Sequence, residues 1–534
     1  MAPVECNATI QFVAAYYNLG SNTNNSLPEF VTVNVKAIPH QTWSEEVTLP
    51  VNKLNIKALQ SHCSLLDLGM SSQKANRFLR CQLEEALHSG DISRGYCFYE
   101  LGAVTLPDGS LRFLRGDTLY PEIYTRPYMV MPEIAGMDLC GDGTSPAQLI
   151  RSVLLALPPQ ALLAVAYTVL TSVRSLVIDC GVDFQAVMYI TGRNGLGKSR
   201  LVKRTSNIYR DKETGKPVGI IELSSTDAAM DALLHVMRDM PVMAEDMCLS
   251  TGRNTARKRK EQGSRLVRKG ANEFSTTKKV GNRIVNLYCN AGIIITAEFA
   301  MEEESDINRC IIVPITDYLD LPDELAPPLV GDAIRLHSVW FAENSEVELN
   351  RLKTELNDGE WGRDYEHRIQ TNYLCLRWAF QSLVAALDPD NLAPEDTKVL
   401  FSSIDMALDI ALTAHMRMIE KLRENVPVGN LAAVIYSGYV RNMFDLAKKP
   451  EKMAKHEGIV WQGDLCLRSE ALIRFVRTQH GYHDWTHNRI VQGLKDIGAL
   501  VLQEETAATV HLDKDLPRVY RIRLDMLKDN MKYY

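Results

Sequence analysis

The chain has 534 residues, a formal net charge of −7, and hydrophobic and charged fractions of 46% and 23%. This length predicts about two to four domains, and the composition is that of a soluble globular protein, which excludes a mainly disordered chain. The negative charge excludes a uniformly basic nucleic-acid coat protein, and eleven cysteines without a Cys-x-x-Cys pair favour reduced thiols in the cytoplasm over a disulfide framework or zinc site.

Residues 1–140 alternate short β-prone runs with polar turns, which predicts a small α+β N-terminal domain. Residues 96–104 and 111–114 read as one hairpin around a Pro-Asp-Gly-Ser turn, and residues 71–88 carry helical spacing. The first basic residue is Lys36, so we expect no secretory signal. No catalytic constellation is visible in this domain.

A second domain is predicted over residues 141–335. It opens with an uncharged run at 152–173, which is long enough to suggest a membrane span. Pro158 and Pro159 interrupt the run, and arginines flank it. We therefore expect a buried helix pair and no membrane association.

The next segment carries a phosphate-binding pattern. An apolar run at 187–190 feeds a loop spaced G-x-x-x-x-G-K-S and then a helix start. Backbone N–H groups and a helix N-terminus converge on an anion in such a loop, so we predict that ATP binds here with Mg²⁺. The residues assigned to the nucleotide are Gly192, Asn194, Gly195, Gly197, Lys198 and Ser199. Lys198 would reach the phosphates, and the Ser199 hydroxyl would hold Mg²⁺.

Two acids end a later apolar run. Glu245 and Asp246 follow residues 240–244, where P-loop enzymes place a metal-shell acid and an acid that orients water. The usual order is Asp then Glu, so the division of labour between the two stays open, although Glu245 is assigned to Mg²⁺. The alternative is an acidic strand end that faces solvent.

Positive charge concentrates between residues 253 and 283, with only Glu261 and Glu273 opposing it. Such a cluster indicates phosphate contact, and the alternative is a solvated helix face or a subunit contact. Residues 274–282 are predicted to form a hairpin with lysines near its tip. The residues assigned to nucleic acid are Arg268, Lys269, Lys278 and Lys279.

Two further positions complete the predicted site. Thr296 ends a buried-type strand, where it would sense the γ-phosphate or hold water, with Asn290 as the second candidate. Arg309 stands immediately before another core strand. Ring ATPases often place there an arginine that reaches a neighbouring subunit's nucleotide, whereas a surface ion pair is the plainer reading.

Residues 336–455 show long helical patterns, in which His367 and His415 are expected to be structural. Residues 456–534 predict helix, turn, helix and β-ribbon, which is typical of a winged helix. Its second helix, expected from 485 to 497 with Asp484 as cap, would present His487, Asn488, Arg489 and Lys495. Such domains bind DNA or serve as partner sites.

The order of these features resembles the AAA+ superfamily, especially the minichromosome-maintenance-like and superfamily III replicative helicases of mobile genetic elements. The resemblance implies an α/β fold with a central P-loop ATPase core, an α+β N-terminal domain, a helical region and a C-terminal winged helix. It also implies a homo-oligomeric, hexameric ring that hydrolyses ATP between subunits and pulls single-stranded or forked DNA through its pore. Lys198, Glu245, Asp246, Thr296 and Arg309 would then be the catalytic residues, and Lys278 and Lys279 the pore contacts.

The sequence therefore predicts an ATP-dependent DNA translocase or helicase for a mobile element or phage. The alternative is an ATP-switched DNA-binding or assembly protein, a regulator or defence component without unwinding activity. A small-molecule kinase is a more remote alternative, because the basic segment and Arg309 do not suit it.

Overall fold

The protein is described as a computed structural model over residues 8–18, 27–37, 44–122, 127–221, 226–247, 253–272, 277–280, 283–286, 288–298, 301, 303–358, 365–425, 428–479, 482, 485–502, 509–512 and 517–530. The chain divides into two compact units, Met1–His415 and Met416–Tyr534. Each unit is considered by itself.

The first unit opens with two small sheets. One has the strand order β3-β2-β1-β4-β8, and the other is the three-stranded sheet β5-β6-β7. The elements are β1 (Ala8–Asn18), β2 (Phe30–Ala37), β3 (Ser44–Pro50), α1 (Ile56–His62), α2 (Ser72–Ser89), β4 (Ser93–Phe98), β5 (Gly102–Thr105), β6 (Leu111–Arg115), β7 (Thr118–Tyr120) and β8 (Tyr128–Val130). Helix α2 buries Ala75, Leu79 and Leu83 at a spacing of four residues, as an amphipathic helix requires.

The predicted hairpin is confirmed as β5 and β6, but its first strand is shorter than expected, because the chain divides residues 96–104 between the two sheets. Residues 96–98 belong to β4, whereas 102–104 pair with β6 in the second sheet. Gly102 makes the change of direction with a φ of 103°, and a Cβ there would lie 2.5 Å from the Asp239 carboxylate. The turn was predicted correctly, since Asp108 accepts hydrogen bonds from the Ser110 amide and hydroxyl.

A buried arginine links the second sheet to the elements that follow. The guanidinium of Arg115 donates to the carbonyls of Ser172 (2.8 Å) and Asp239 (3.2 Å) and to the Ser338 hydroxyl. The Asp239 carboxylate accepts from the Ala103 amide at 2.9 Å. Strands β5 and β6 are therefore joined by hydrogen bonds to Ser172 and Asp239, which lie later in the first unit.

The middle of the first unit is built on a parallel sheet with the order β12-β13-β16-β10-β17. Its elements and their neighbours are α3 (Pro132–Ala135), β9 (Met137–Leu139), α4 (Ala147–Leu155), α5 (Pro159–Ser172), α6 (Arg174–Asp179), β10 (Val187–Gly192), α7 (Lys198–Thr205), β11 (Tyr209–Asp211), β12 (Ile220–Ile221), α8 (Asp227–Val236), β13 (Pro241–Met247), α9 (Arg253–Asn272), β14 (Thr277–Val280), β15 (Arg283–Asn286), β16 (Gly292–Ala297), α10 (Glu304–Ile307) and β17 (Cys310–Ile315).

Helices cover this sheet, which explains its near-continuous apolar strands. The predicted buried helix pair at 152–173 is confirmed as α4 and α5, and α5 is buried along nearly its whole length. The Tyr167 hydroxyl of α5 donates to the carbonyls of Ala186 and Ile293, at the ends of two sheet strands. Helix α8 begins after Thr226, whose hydroxyl caps it by accepting from the Ala229 amide.

Three long helices follow: α11 (Pro327–Asp358), α12 (His367–Leu387) and α13 (Pro394–Asn425), of which α13 belongs to the first unit as far as His415. Helix α12 covers the exposed edge of β17, where the Tyr373 hydroxyl accepts from the Ile312 amide at 3.0 Å. By length and composition alone, residues Pro394–Glu420 of α13 could cross a membrane. In this helix Asp405 pairs with Arg377 at 2.6 Å and His415 is buried beside Tyr373, as in a packed core helix.

The second unit combines a five-stranded sheet, in the order β18-β19-β20-β22-β21, with short helices. Its elements are α14 (Val428–Val440), β18 (Leu446–Ala447), β19 (Gly458–Trp461), β20 (Asp464–Leu467), α15 (Ser469–Thr478), α16 (His487–Asp496), β21 (Leu500–Val501), β22 (Tyr520–Arg523) and α17 (Leu524–Asn530). The expected second helix is present, but it begins at His487 with Thr486 as its cap. Asp484 lies outside the described residues.

Candidate nucleotide site

The phosphate-binding pattern folds as a strand, a loop and a helix at the carboxyl edge of the parallel sheet. Gly192 ends β10, and a Cβ there would lie 2.3 Å from the Ile315 carbonyl oxygen of the adjacent strand. Gly195 and Gly197 have φ values of 81° and 95°, which other residues rarely adopt. The motif glycines thus permit a tight path that ends at the N-terminus of α7, where unpaired N–H groups favour an anion.

Lys198 points back into this loop. Its ammonium group donates to the carbonyls of Gly192 and Arg193, both at 2.8 Å, and the residue is 9% exposed. A lysine held by loop carbonyls carries its charge at the place where phosphate oxygens would lie. The amine can exchange these carbonyls for stronger charge-assisted bonds to phosphate. Ser199 follows in the first turn of α7, where its hydroxyl is available to a metal-bound nucleotide.

The two acids lie in a β-bulge of β13. Ala244 pairs with Ile295 and Met247 pairs with Ala297, so Glu245 and Asp246 together oppose the single residue Thr296. A bulge of this kind changes the direction of side chains and is common beside active sites. We call these two residues the acid bulge.

Glu245 has a partner on the helix that follows the loop. Lys203 of α7 lies 2.8 Å from its carboxylate, and both groups are partly exposed. Sequence reasoning missed Lys203. It stands five residues after Lys198, on a helix that was predicted. Its contact with Glu245 could not be predicted, because it depends on how α7 and β13 are placed in the sheet. The side chain of Asp246 lies outside the described residues.

Thr296 lies at the centre of this arrangement. It is 2% exposed and pairs with Ile190 of β10, two residues before Gly192. The register therefore places Thr296 between the acid bulge and the phosphate-binding loop, at the same edge of the sheet. Asn290 precedes β16, at the opposite edge, where its amide donates to Glu100 at 3.3 Å.

Arg309 lies at the amino edge of the sheet. Its carbonyl accepts from the Val187 amide at 3.0 Å, so it stands beside the start of β10, whereas the phosphate-binding loop follows the end of that strand. The two edges are separated by about 17 Å along a strand of this length. An arginine here cannot contact a nucleotide held by the loop of its own chain.

The basic segment is divided between a helix and a hairpin. The hairpin is confirmed at the backbone level, with Lys278 opposite Val285 and Lys279 opposite Ile284; the lysine side chains lie outside the described residues. On α9, Arg268 and Lys269 pair with Asp306 (2.8 Å) and Asp231 (2.6 Å), two buried acids. These ion pairs give both residues a structural role that the sequence did not indicate.

In the second unit, α16 exposes Asn488 and Arg489 as expected. The Arg489 guanidinium lies 4.6 Å from the centroid of the Trp485 ring, in a cation–π contact. His487 hydrogen-bonds the Tyr520 hydroxyl of β22, so its ring is engaged within the unit. Lys495 lies in the last turn of the helix. The winged-helix identification stays a prediction.

No protein-family model and no curated protein matches the chain. Among solved structures, it is similar to one described as "SCCmec type IV Cch - active helicase", with a TM-score of 0.60 and 13% identity over 98% of this chain and 96% of that one. It is also aligned with the apo C-terminal region of NrS-1 (TM-score 0.28, 10% identity, 96% of both chains) and with JCV helicase (TM-score 0.19, 13% identity, 46% of this chain and 65% of that one).

The first similarity extends over almost the full length of both chains. At this identity the similarity concerns the fold, which this chain shares with a protein described as a helicase. The chain has a mixed α/β fold built around a parallel sheet.

Proposed function

We propose that this chain is an ATP-dependent DNA translocase or helicase that acts as a homo-oligomeric, hexameric ring in the cytoplasm and serves the replication of a mobile element or phage. One observation carries the proposal. Lys198, the acid bulge and Thr296 meet at one edge of the sheet, whereas Arg309 lies at the other. A hydrolytic site is thus nearly complete in one chain and requires an arginine from a neighbour.

The residues fit ATP with Mg²⁺. Lys198 and the loop amides would hold the phosphates, and the Ser199 hydroxyl with the acid bulge offers the oxygen ligands that Mg²⁺ prefers. Bound Mg²⁺ supplies charge neutralisation on the phosphates. The second acid and Thr296 would orient water; the support for this is that the backbone of the acid bulge lies opposite that threonine.

The first test is nucleotide hydrolysis. Lys198→Ala should lower ATP turnover by at least about 100-fold, because it removes the charge that contacts the transferred phosphate. Lys216→Ala, which removes an exposed lysine outside the site, is the matched control. It should retain both ATP turnover and nucleotide binding, the latter measured with a fluorescent ATP analogue. Undiminished hydrolysis by Lys198→Ala would exclude the assigned site.

The second test separates translocation from hydrolysis. Alanine at both Lys278 and Lys279 should leave basal ATP turnover intact and remove DNA stimulation and strand separation on a forked duplex. Alanine at both Lys448 and Lys449, outside the hairpin, removes the same charge and should retain both activities. Normal unwinding by the hairpin variant would refute the pore assignment.

A second candidate function uses the exposed arginine of the second unit. Arg489 on α16 could contact a DNA backbone while ATP controls assembly only. This alternative, an ATP-switched DNA-binding or assembly protein, predicts slow turnover, no strand separation, and DNA affinity that Arg489→Ala reduces. Electron microscopy with an ATP analogue and forked DNA distinguishes the two, because only the translocase predicts a ring with DNA through its centre.

A further inference from the structure

Positive charge is also concentrated far from the nucleotide site, on the first two helices of the first unit. Residues 51–83 contain five basic residues and a single acid, Asp67, in a chain whose net charge is −7. All five basic side chains are exposed: Lys53, Lys57, Lys74, Arg77 and Arg80. We call these five residues the α1–α2 basic surface.

Three of these cations form a row along α2. The helix buries one face, and Lys74, Arg77 and Arg80 lie on the opposite, exposed side. Their spacing of three residues separates successive side chains by about 4.5 Å along the helix axis. Like charges one turn apart repel each other on a helix. The row is therefore unfavourable in the free chain and becomes favourable beside a series of negative charges.

Helix α1 adds two cations to the same surface. Lys53 lies just before this helix, and Lys57 lies in its first turn. The Asn76 carboxamide oxygen of α2 accepts a hydrogen bond from the Ile56 amide at 2.7 Å, at the start of α1. Lys57 follows Ile56, and Arg80 stands one turn after Asn76. Lys57 and Arg80 therefore flank one hydrogen bond, which fixes the two helices relative to each other.

Acids of the same region do not neutralise this surface. Among the described residues, which include every position from 44 to 122, none of the five cations forms an ion pair. Within the first 130 residues, the positions outside the described ranges contain one acid, Glu5. The Asp67 carboxylate accepts a hydrogen bond from the Gly69 amide at 2.9 Å. The surface therefore presents its charge to solvent, where a polyanion can bind it.

An exposed aromatic ring lies within the row. Phe78 is 38% exposed, and it stands one turn after Lys74 and directly after Arg77. Such a ring can stack on a base of an unpaired strand, whereas the bases of a duplex are already stacked on each other. The arginines suit phosphate, because the planar guanidinium binds two of its oxygens at once. Cations and ring together select a single-stranded nucleic acid.

We propose that the α1–α2 basic surface binds single-stranded DNA through its phosphates, with Phe78 stacked on a base. This contact is separate from the hairpin lysines and from α16, and it gives the N-terminal part of the chain a role in holding the strand. The inference rests on the proposed function only in the choice of DNA over RNA. It requires neither ATP nor hydrolysis.

The test measures DNA affinity by fluorescence anisotropy in the absence of ATP. The full-length protein with alanine at both Lys278 and Lys279 is the background, so that the hairpin does not mask the surface. In this background, alanine at Lys74, Arg77 and Arg80 should raise the Kd for a labelled single strand of about 20 nucleotides by about 10- to 100-fold at about 0.1 M salt. The slope of log Kd against log salt concentration should fall by about 2, since each lost phosphate contact removes about 0.7.

Alanine at Lys216, Lys353 and Lys398 is the matched control, because it removes three exposed lysines outside the surface. It should leave the Kd within about threefold and the salt slope unchanged. Phe78→Ala should raise the Kd for the single strand by about 10-fold and leave that for a blunt duplex within about threefold. Phe78→Trp should bind the single strand as tightly as the background protein, because it keeps an aromatic ring.

An unchanged Kd and salt slope in the triple alanine variant would overturn the proposal, and equal losses for single strand and duplex in Phe78→Ala would overturn the choice of a single strand. Lysine at both Arg77 and Arg80 keeps the charge and should keep the salt slope. A slope that falls in this variant as well would show that the cause is not lost charge, which also contradicts the proposal. ATP hydrolysis is measured separately, so the proposed function can fail without this contact, and this contact without the proposed function.

Discussion

His337 and His415 are buried imidazoles in the first unit. His337 Nε2 lies 2.9 Å from the Ser382 hydroxyl, and His415 Nδ1 lies 3.2 Å from that of Tyr373. Burial lowers the pKa of His337 to about 3 and that of His415 to about 4. An unfolded histidine has a pKa of about 6.5, so the unfolded chain binds protons that the folded chain does not.

These shifts predict acid sensitivity. The free energy of unfolding is unaffected by these histidines above about pH 6.5 and falls as the pH is lowered towards 4. At about pH 5 the loss is about 2 kcal/mol for each histidine. His337→Gln should therefore flatten the fall of the thermal midpoint between about pH 7 and pH 5. His62→Gln, which changes an exposed histidine, should not. If the thermal midpoints of His337→Gln and of the wild type fell in parallel with pH, His337 would not be a source of the acid sensitivity.

At the scale of elements, a close helix contact in the second unit gives a sharp prediction. A Cβ on Gly438 of α14 would lie 2.2 Å from the Phe475 ring of α15, and that ring packs on Phe444 at 4.5 Å between centroids. Glycine in a helix interior normally costs about 0.5–1 kcal/mol relative to alanine. Here Gly438→Ala should instead destabilise by about 1–3 kcal/mol, because the ring cannot move without displacing its neighbours.

A double-mutant cycle checks this contact. Phe475→Leu should be destabilising alone, but it should remove most of the penalty of Gly438→Ala when the two are combined. The measurement is the free energy of unfolding of the second unit in the full-length protein, followed by urea denaturation. If the two substitutions had additive effects on the free energy of unfolding, the Phe475 ring would not be the cause of the destabilisation by Gly438→Ala.

The elements that could be predicted from the sequence are those defined by local signals. Strand, glycine loop and helix at 187–205 are contiguous, so the pattern itself specifies the phosphate-binding loop. The acid bulge is different, because it exists only where β13 meets β16. The partners of Arg268 and Lys269 are also distant in sequence, and this is why a basic run that suggested DNA contact proved to be partly ion-paired with buried acids.

At the scale of the molecule, the contacts of the second small sheet, β5-β6-β7, bear on the domain boundary predicted at residue 140. Arg115 and Ala103 are hydrogen-bonded to Ser172 and Asp239, residues that flank the central sheet. A fragment of residues 141–534 loses these contacts. The Asp239 carboxylate keeps its hydrogen bonds from the Ser175 amide and hydroxyl, but the bonds that join the second sheet to this region are gone.

We expect this fragment to be recovered mainly as aggregate, or to unfold well below the full chain. A fragment of residues 99–534 keeps β5, β6 and β7 and should unfold cooperatively. Calorimetry of both fragments measures the difference. Equal thermal midpoints would place the true boundary at residue 140.

The hydroxyl of Tyr373 that covers β17 has a consequence for how copies of the chain can meet. A bare edge strand is a template on which another chain can add a strand, which leads to domain exchange or fibres. The Tyr373 hydroxyl accepts the hydrogen bond of the Ile312 amide in the middle of this edge. At the opposite edge, the described part of β12 is the pair Ile220–Ile221. In the ring proposed above, copies would therefore meet through side chains and not through backbone pairing, and such contacts can open and close without breaking a β-ladder.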